Sequence, residues 1–203
     1  MPATGWRLTV CGLDELREHG GREGSHVLSI LDPGWPDPEG EFAAYAGRHR
    51  RLTLRFHDVI EDLPGHEPPG PGHVEAVLRL GADLDEEHGT GGAGEAAAGL
   101  ALRHLLVHCH AGVSRSTAAL AILLARKLPG EEAAVFARIR EIRPQAWPNS
   151  RMVAFADDQL GSRGRLVAAL RDHYRHQLRV RPELAAGMRA LGRGAEVPDG
   201  AAG

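Results

Sequence analysis

The chain has 203 residues, 42% of them hydrophobic, which is enough for one sizeable core and favours a single domain. Its formal net charge of −3 gives no general attraction to nucleic acid, and its two cysteines, far apart in sequence, do not form a disulfide framework. The first residues lack the apolar core of a secretion signal, and no apolar run is long enough to cross a bilayer. We therefore expect a cytoplasmic protein with neither nucleic-acid nor membrane partners.

Strands and helices alternate along the chain in the predicted order of elements. In chain order, the pattern predicts a strand at 7–10, a helix at 14–19, a strand at 26–31, a helical turn at 42–49, a strand at 52–56, a helix at 73–87, a strand at 105–108, and helices at 118–125, 131–142, 150–159 and 165–180. This order is typical of a single-domain α/β sandwich with a central, largely parallel sheet flanked by helices. The Gly- and Ala-rich residues 89–103 are expected to form a flexible insertion. Residues 181–203 are expected to form a disordered tail after a domain of residues 1–180.

The most informative segment links the last predicted strand to the apolar helix that follows it. It is His108-Cys109-His110-Ala111-Gly112-Val113-Ser114-Arg115-Ser116. A loop from a strand into a helix directs backbone N–H groups and the positive end of the helix dipole at one point, which suits an anion. Arg115 can bind two phosphate oxygens with its planar guanidinium, and Gly112 allows a sharp turn. The same surroundings favour the thiolate form of Cys109, which is the nucleophilic form.

The spacing between cysteine and arginine is not specific by itself. Arginine is abundant in this chain, and Cys11 also stands six residues before an arginine, Arg17. Asp14 and Glu15 lie between those two residues and would repel a phosphate. We therefore take Cys109 as the candidate nucleophile and reject Cys11.

Residues 108–116, hereafter the signature loop, resemble the active-site loop of the cysteine-dependent protein tyrosine phosphatase superfamily, particularly its dual-specificity group. The resemblance implies a phosphocysteine intermediate on Cys109, phosphoryl oxygens held by Arg115, and a hydroxyl of Ser116 that helps the thiolate leave. It assigns substrate binding to the residues that follow the cysteine: His110, Ala111, Gly112, Val113, Ser114 and Arg115.

Two further residues are expected to support this loop. Downstream, Arg143-Pro144, Pro148-Asn149, Phe155 and Leu160 are similar to a pattern that follows the loop in dual-specificity members, where the asparagine braces the loop. Asn149 could instead serve only as the cap of the helix that begins at Ser150. His108 is interpreted as a group that hydrogen-bonds around the loop and tunes the thiolate.

The resemblance also calls for a general acid on a loop after the strand that precedes the signature strand. Asp58, at the end of the strand at 52–56, is the predicted acid, followed by Asp62 and then Glu61. Trp35-Pro36-Asp37 has the triplet that carries the acid in tyrosine-specific members, but it follows the strand at 26–31, one strand too early. Its prolines are explained by a turn.

The sequence thus predicts hydrolysis of phosphotyrosine esters on a phosphorylated protein, with phosphoserine and phosphothreonine left open. No cofactor is expected. A zinc site at Cys109 and the neighbouring histidines is disfavoured because no second cysteine lies nearby. A lipid substrate is disfavoured because the signature loop lacks lysine. The alternatives are another thiolate enzyme, such as a sulfurtransferase or an arsenate reductase, and a non-catalytic module that binds phosphorylated partners. The sequence indicates no oligomeric state.

Overall fold

A computed structural model describes residues 6–19, 26–42, 49–90 and 104–198. Its strands are β1 (Arg7–Cys11), β2 (His26–Leu31), β3 (Arg50–Arg55) and β4 (His104–His108). Its helices are α1 (Leu16–His19), α2 (Glu39–Phe42), α3 (Pro71–Thr90), α4 (Arg115–Lys127), α5 (Glu132–Ile142), α6 (Ser150–Gln159), α7 (Arg165–Val180) and α8 (Leu184–Ala190), followed by a 3-10 turn at Gly194–Glu196.

The four strands form one parallel sheet in the order β1-β4-β2-β3. Residues of β4 and β2 are all buried, as expected for inner strands that helices cover on both faces. The register pairs His108 with Cys11 on one side and with Ser29 on the other. Because the strands are parallel, their carboxyl ends meet at one edge of the sheet, where open α/β folds place their sites.

Helix α4 lies in the centre of the molecule. Every residue from Arg115 to Ala125 is buried. The helix contacts β1, β2 and β4 on one side and α3, α5 and α6 on the other. A helix buried all round needs apolar residues on every face, and the Ala- and Leu-rich sequence of α4 supplies them. The signature loop therefore leads into the best-packed element of the fold.

The predicted α/β sandwich with a parallel central sheet is confirmed. Each predicted strand and each long predicted helix is present, with ends shifted by a few residues at most for the strands. The helical turn predicted at 42–49 falls mostly on residues 43–48, which lie outside the described part; α2 ends at Phe42, before them. The predicted insertion at 89–103 overlaps the end of α3 at Thr90, and its remaining residues lie outside the described part.

The expectation of a disordered tail is wrong for residues 182–198. Helix α8 and the 3-10 turn bury Ala185, Met188 and Val197 in the main core. Two charged side chains of this segment, Arg193 and Glu196, are also buried and paired with each other. The composition, rich in Gly and Ala, concealed these few anchoring residues. Residues of this segment therefore pack on the same core as the preceding helices.

No helix in the described ranges combines the length and the apolar character that a bilayer crossing requires.

Candidate active site

The first carbonyl groups of the signature loop are held from outside the loop. The carbonyl of His110 accepts from the Leu13 N–H at 2.9 Å. Arg143 donates from Nη2 to the carbonyl of Ala111 at 3.1 Å and from Nε to that of Gly112 at 3.0 Å. Loop carbonyls that bind outside partners cannot face the interior of the loop.

The carbonyls of Val113 and Ser114 are held in the same way. The Trp147 N–H donates to the carbonyl of Val113 at 2.9 Å. The carbonyl of Ser114 accepts from Ala118 at 2.9 Å and from Asn149 at 3.4 Å. Consecutive carbonyls from residue 110 to residue 114 are therefore all bound outside the loop.

The N–H groups of the loop consequently face its interior. In a planar trans peptide the N–H points away from the carbonyl of the preceding residue, so outward carbonyls at 110–114 direct the N–H groups of 111–115 inward. No acceptor within the described ranges binds an N–H group of residues 110–116. This arrangement forms a concave set of donors at the N-terminus of α4, which suits an oxyanion.

Gly112 makes this turn of the backbone possible. Its φ is +67°, in the left-handed region that side chains disfavour. A Cβ at this position would lie 2.4 Å from the Cys11 carbonyl carbon. The loop after β1 and the signature loop thus pack backbone against backbone, and only glycine fits between them.

Cys109 lies at the floor of this loop. Its side chain is buried, and Sγ lies 3.2 Å from the Ser116 hydroxyl in the first turn of α4. The sulfur therefore sits at the positive end of the helix. At the other cysteine, Cys11, burial, with a further contribution from the Glu15 carboxylate, raises the pKa of the thiol to about 12. Cys11 thus remains a thiol at neutral pH.

Arg115 is fixed by a carboxylate that the sequence analysis did not single out. Its Nη1 donates to Asp32 Oδ1 at 2.6 Å and to the Phe56 carbonyl at 2.6 Å. The side chain is buried, yet its Nε has no acceptor among the described residues. Two donors of one guanidinium are thus anchored at the carboxyl ends of β2 and β3, and a third is left without a protein partner.

Asp58 lies beside the loop, joined to it by side chains. Its Oδ1 accepts from the Ser114 hydroxyl at 2.7 Å and from Asn149 Nδ2 at 2.9 Å. Its Oδ2 lies 3.4 Å from Nη1 of Arg193. The Ser114 side chain is therefore directed at Asp58, while the backbone N–H of Ser114 belongs to the inward set.

Asn149 performs both of the tasks considered for it. Its Oδ1 accepts from the Met152 N–H at 3.1 Å and caps α6. Its Nδ2 donates to Asp58 and, at 3.2 Å, to the carbonyl of Val59, and its own N–H binds the Ser114 carbonyl. The side chain caps α6 and holds Asp58, while the backbone N–H is the group that contacts the signature loop.

The two histidines of the loop have separate environments. His108 Nε2 lies 2.7 Å from the Ser29 hydroxyl, and burial lowers the pKa of His108 to about 4. The Nε2 of His110 accepts from the Asp32 N–H at 3.2 Å, which requires a neutral ring. Burial lowers the pKa of His110, although the Asp32 carboxylate opposes this. The exposed Trp35 ring packs edge-on against His110, with ring centroids 4.5 Å apart.

The other candidate carboxylates have structural partners away from the loop. Asp37 pairs with Arg51 at 3.2 Å and with Arg55 at 2.9 Å, so it fixes the turn after β2. The Asp62 side chain is 83% exposed and pairs with Arg151 at 2.8 Å. Glu61 is exposed.

Four supporting residues were not recognised from the sequence, or were given no role in it. Asp32 immediately follows β2, and its position at the carboxyl edge of a parallel sheet was a usable signal. Glu15 binds Arg143 with both oxygens at 2.8 Å, which orients the guanidinium that holds the loop. Arg193 and Glu196 lie in the segment that was expected to be a tail, and the sequence around them did not indicate a role at the site.

No protein-family model and no curated protein sequence matches the chain. Several solved structures, in contrast, match its fold. The structure of human DUSP28 matches with a TM-score of 0.52 and 19% identity, over 80% of this chain and 94% of that one. The structure of the Cydia pomonella PTP-2 phosphatase matches with a TM-score of 0.53 and 18% identity, over 75% of this chain and 84% of that one. The chain therefore has the fold of these phosphatases, which confirms the fold that the resemblance implied.

Proposed function

We propose that this protein hydrolyses phosphate monoesters on phosphorylated proteins, with phosphotyrosine as the first substrate to test, through a phosphocysteine intermediate on Cys109. The observation that carries the proposal is the signature loop itself. Inward N–H groups and the Cys109 sulfur lie at the N-terminus of α4, and Arg115, the first residue of that helix, has a buried Nε without a partner among the described residues. Buried donors without acceptors cost about 1–3 kcal/mol each, and a bound phosphoryl group would remove that cost.

In the first step the Cys109 thiolate attacks phosphorus in line with the ester oxygen. The S–P bond forms and the P–O bond to the substrate breaks, while the loop N–H groups and Arg115 hold the three other oxygens. The departing oxygen takes the proton of the Asp58 carboxyl and leaves as a neutral hydroxyl. Donors fixed in place before the reaction stabilise the charge that spreads over these oxygens, and each is worth about 3 kcal/mol in the barrier.

In the second step a water molecule attacks the phosphocysteine. Asp58, now a carboxylate, accepts the proton of the water, the O–P bond forms, and the P–S bond breaks to release inorganic phosphate. The Ser116 hydroxyl, 3.2 Å from the sulfur, donates to the thiolate as it leaves. The proton that Asp58 gave in the first step is thereby restored, and the cycle requires no metal or cofactor.

The experiment is turnover of p-nitrophenyl phosphate by the full chain, followed by phosphotyrosine, phosphothreonine and phosphoserine peptides of one sequence. The parent is expected to turn over, and Cys109→Ser to fall below detection. Cys11→Ala, a change at a buried thiol of high pKa, is the matched control and should keep its activity. After reaction with a substrate that is radiolabelled at phosphorus and a denaturing alkaline quench, protein-bound label on the parent, absent from Cys109→Ser, would identify the intermediate.

The alternatives predict different results. A phosphopeptide-binding module would bind the peptides without turnover, and a sulfurtransferase would consume thiosulfate instead of the esters. Undiminished turnover in Cys109→Ser would refute the proposal.

A further inference from the structure

A buried arginine from the end of the chain reaches the proposed active site. Arg193 lies between α8 and the 3-10 turn, in the segment of residues 184–198, hereafter the C-terminal segment. Its side chain is 7% exposed. Its Nη1 donates to the Ser114 hydroxyl at 2.7 Å and lies 3.4 Å from Asp58 Oδ2. One guanidinium atom thus contacts both the signature loop and the proposed acid.

Glu196 fixes the orientation of this guanidinium. Nε and Nη2 of Arg193 donate to the two oxygens of Glu196 at 2.7 and 2.9 Å. Glu196 is also buried, and it accepts from the Trp147 indole N–H and from the Ser150 N–H, both at 2.8 Å. Glu196 therefore holds the Arg193 guanidinium in one orientation. In this orientation Nη1 contacts Ser114 and Asp58.

The hydrogen bonds run in one direction through Ser114. A hydroxyl has one proton, so Ser114 must accept from Arg193 in order to donate that proton to Asp58 Oδ1. Asn149 gives Oδ1 its second donor. Oδ1 thus accepts two short hydrogen bonds from protein donors, whereas Oδ2 accepts only the longer one, at 3.4 Å, from Arg193. Oδ2 is therefore the oxygen with room for a transferable proton.

The charge of Arg193 is secured by its neighbours. Burial opposes that charge, but the carboxylates of Glu196 and Asp58 outweigh it and raise the pKa of Arg193 above its ordinary value. A fixed positive charge therefore lies 3.4 Å from Oδ2, the atom on which negative charge develops when a proton departs.

We propose that Arg193 is a positioning residue for phosphoryl transfer, holding Asp58 through Ser114 so that Oδ2 delivers its proton to the leaving oxygen. The inference rests on the proposed function and adds to it: the C-terminal segment is part of the active site rather than a stabilising appendage.

The test compares two esters that differ in their need for an acid. Phenyl phosphate has a poor leaving group and needs a proton, whereas p-nitrophenyl phosphate leaves with little help. Removing Arg193 alone would strand the buried Glu196 charge, so the variant is Arg193→Met combined with Glu196→Gln, compared with Glu196→Gln alone. We expect kcat for phenyl phosphate to fall roughly tenfold to hundredfold, that for p-nitrophenyl phosphate to fall less than about threefold, and KM to stay unchanged.

Matched controls separate positioning from folding. Arg189→Met changes an exposed arginine of the same segment and should leave both rates unchanged. Arg193→Lys keeps the charge and should recover part of the loss on phenyl phosphate. In an Asp58→Asn background, the Arg193 change should add less than about twofold, because the residue through which it acts is already gone. Circular dichroism confirms that each variant is folded.

The outcomes distinguish this inference from the proposed function. Equal slowing of both esters, a raised KM, or full additivity with Asp58→Asn would each overturn the positioning role. Full phenyl phosphate turnover by the Arg193 variant would do the same while leaving the phosphatase proposal intact. Turnover that persists in Cys109→Ser would instead remove the proposed function on which the inference rests.

Discussion

The guanidinium of Arg115 is tied to the carboxylate of Asp32, with Nη1 donating to Oδ1 at 2.6 Å. The two residues belong to different loops at the carboxyl edge of the sheet, one after β4 and the other after β2. The pair sets the orientation of Arg115 before any anion arrives, because a guanidinium anchored on one side presents its remaining donors in a fixed direction.

Asp32→Asn should weaken the site without unfolding it. The change removes a charge-assisted hydrogen bond, which is worth about 1.5–3 kcal/mol, so kcat/KM for p-nitrophenyl phosphate should fall roughly tenfold to hundredfold. Steady-state kinetics measure this. Asp37→Asn, five residues away on the same turn, pairs with Arg51 and Arg55 and should keep nearly full activity. Equal losses in the two variants would contradict a specific role for Asp32.

Asp58→Asn should slow turnover of phenyl phosphate about a hundredfold or more, because the amide cannot supply a proton to the leaving oxygen. The KM should be unchanged, since binding is assigned to the loop and Arg115. Asp62→Asn is the control: that carboxylate is 83% exposed and pairs with Arg151. If Asp62→Asn slows turnover more than Asp58→Asn does, the general acid is Asp62 and not Asp58.

Gly112→Ala should abolish turnover and lower the melting temperature strongly. Its Cβ would lie 2.4 Å from the Cys11 carbonyl carbon at a φ of +67°. Gly130→Ala is a close control, because Gly130 has a φ of +86° and nothing within 4 Å of the added Cβ. It should carry only the backbone cost of roughly 1–2 kcal/mol and full activity. Melting temperatures and ester turnover of both variants test this prediction. Similar melting temperatures would contradict a close contact between residue 112 and the Cys11 backbone.

Acid should destabilise the fold through buried neutral histidines. Burial lowers the pKa of His108 and of His173 from 6.5 to about 4. Between about pH 6.5 and pH 4 these two histidines are protonated in the unfolded chain but neutral in the folded chain. The free energy of unfolding therefore falls as the pH falls through this range, by about 3 kcal/mol for each histidine. Urea midpoints at pH 7 and pH 4.5 measure the loss.

The His108→Asn variant tests the assignment of that pH dependence. Whatever its stability at pH 7, it should lose less than the parent does between pH 7 and pH 4.5, because one titrating group is gone. An identical loss of stability in the two proteins between pH 7 and pH 4.5 would show that the pKa of His108 is not lowered by folding.

The sequence was most informative where the chemistry is contiguous. Residues 108–116 carry the proposed nucleophile, the arginine and the turn glycine in one stretch, so the local pattern and the flanking apolar runs located the loop. Asp58 was predicted from the resemblance, as a carboxylate on the loop after the strand that precedes the signature strand, and its side chain contacts Ser114 of the signature loop. Asn149 was assigned two alternative tasks, and the fold assigns it both contacts.

The supporting residues escaped prediction because their partners are distant in sequence. The position of Asp32 after β2 places it at the carboxyl edge of the sheet, but its pairing with Arg115 depends on β2 lying next to β4, an order that no local pattern reveals. Arg193 is one of many arginines and lies 79 positions from Ser114. Its burial depends on how the C-terminal segment packs, and a Gly- and Ala-rich composition gives no sign of that.

The bracing of the loop by Arg143 and Glu15 has a consequence for the reaction product. The protein itself holds the carbonyls outward, so the signature loop acquires its shape during folding. No backbone has to be ordered when an anion enters. Free inorganic phosphate meets the same donors as the esterified group and lacks only the contacts of the departing alcohol. If the chain has the proposed phosphatase activity, we therefore expect inorganic phosphate to inhibit it competitively.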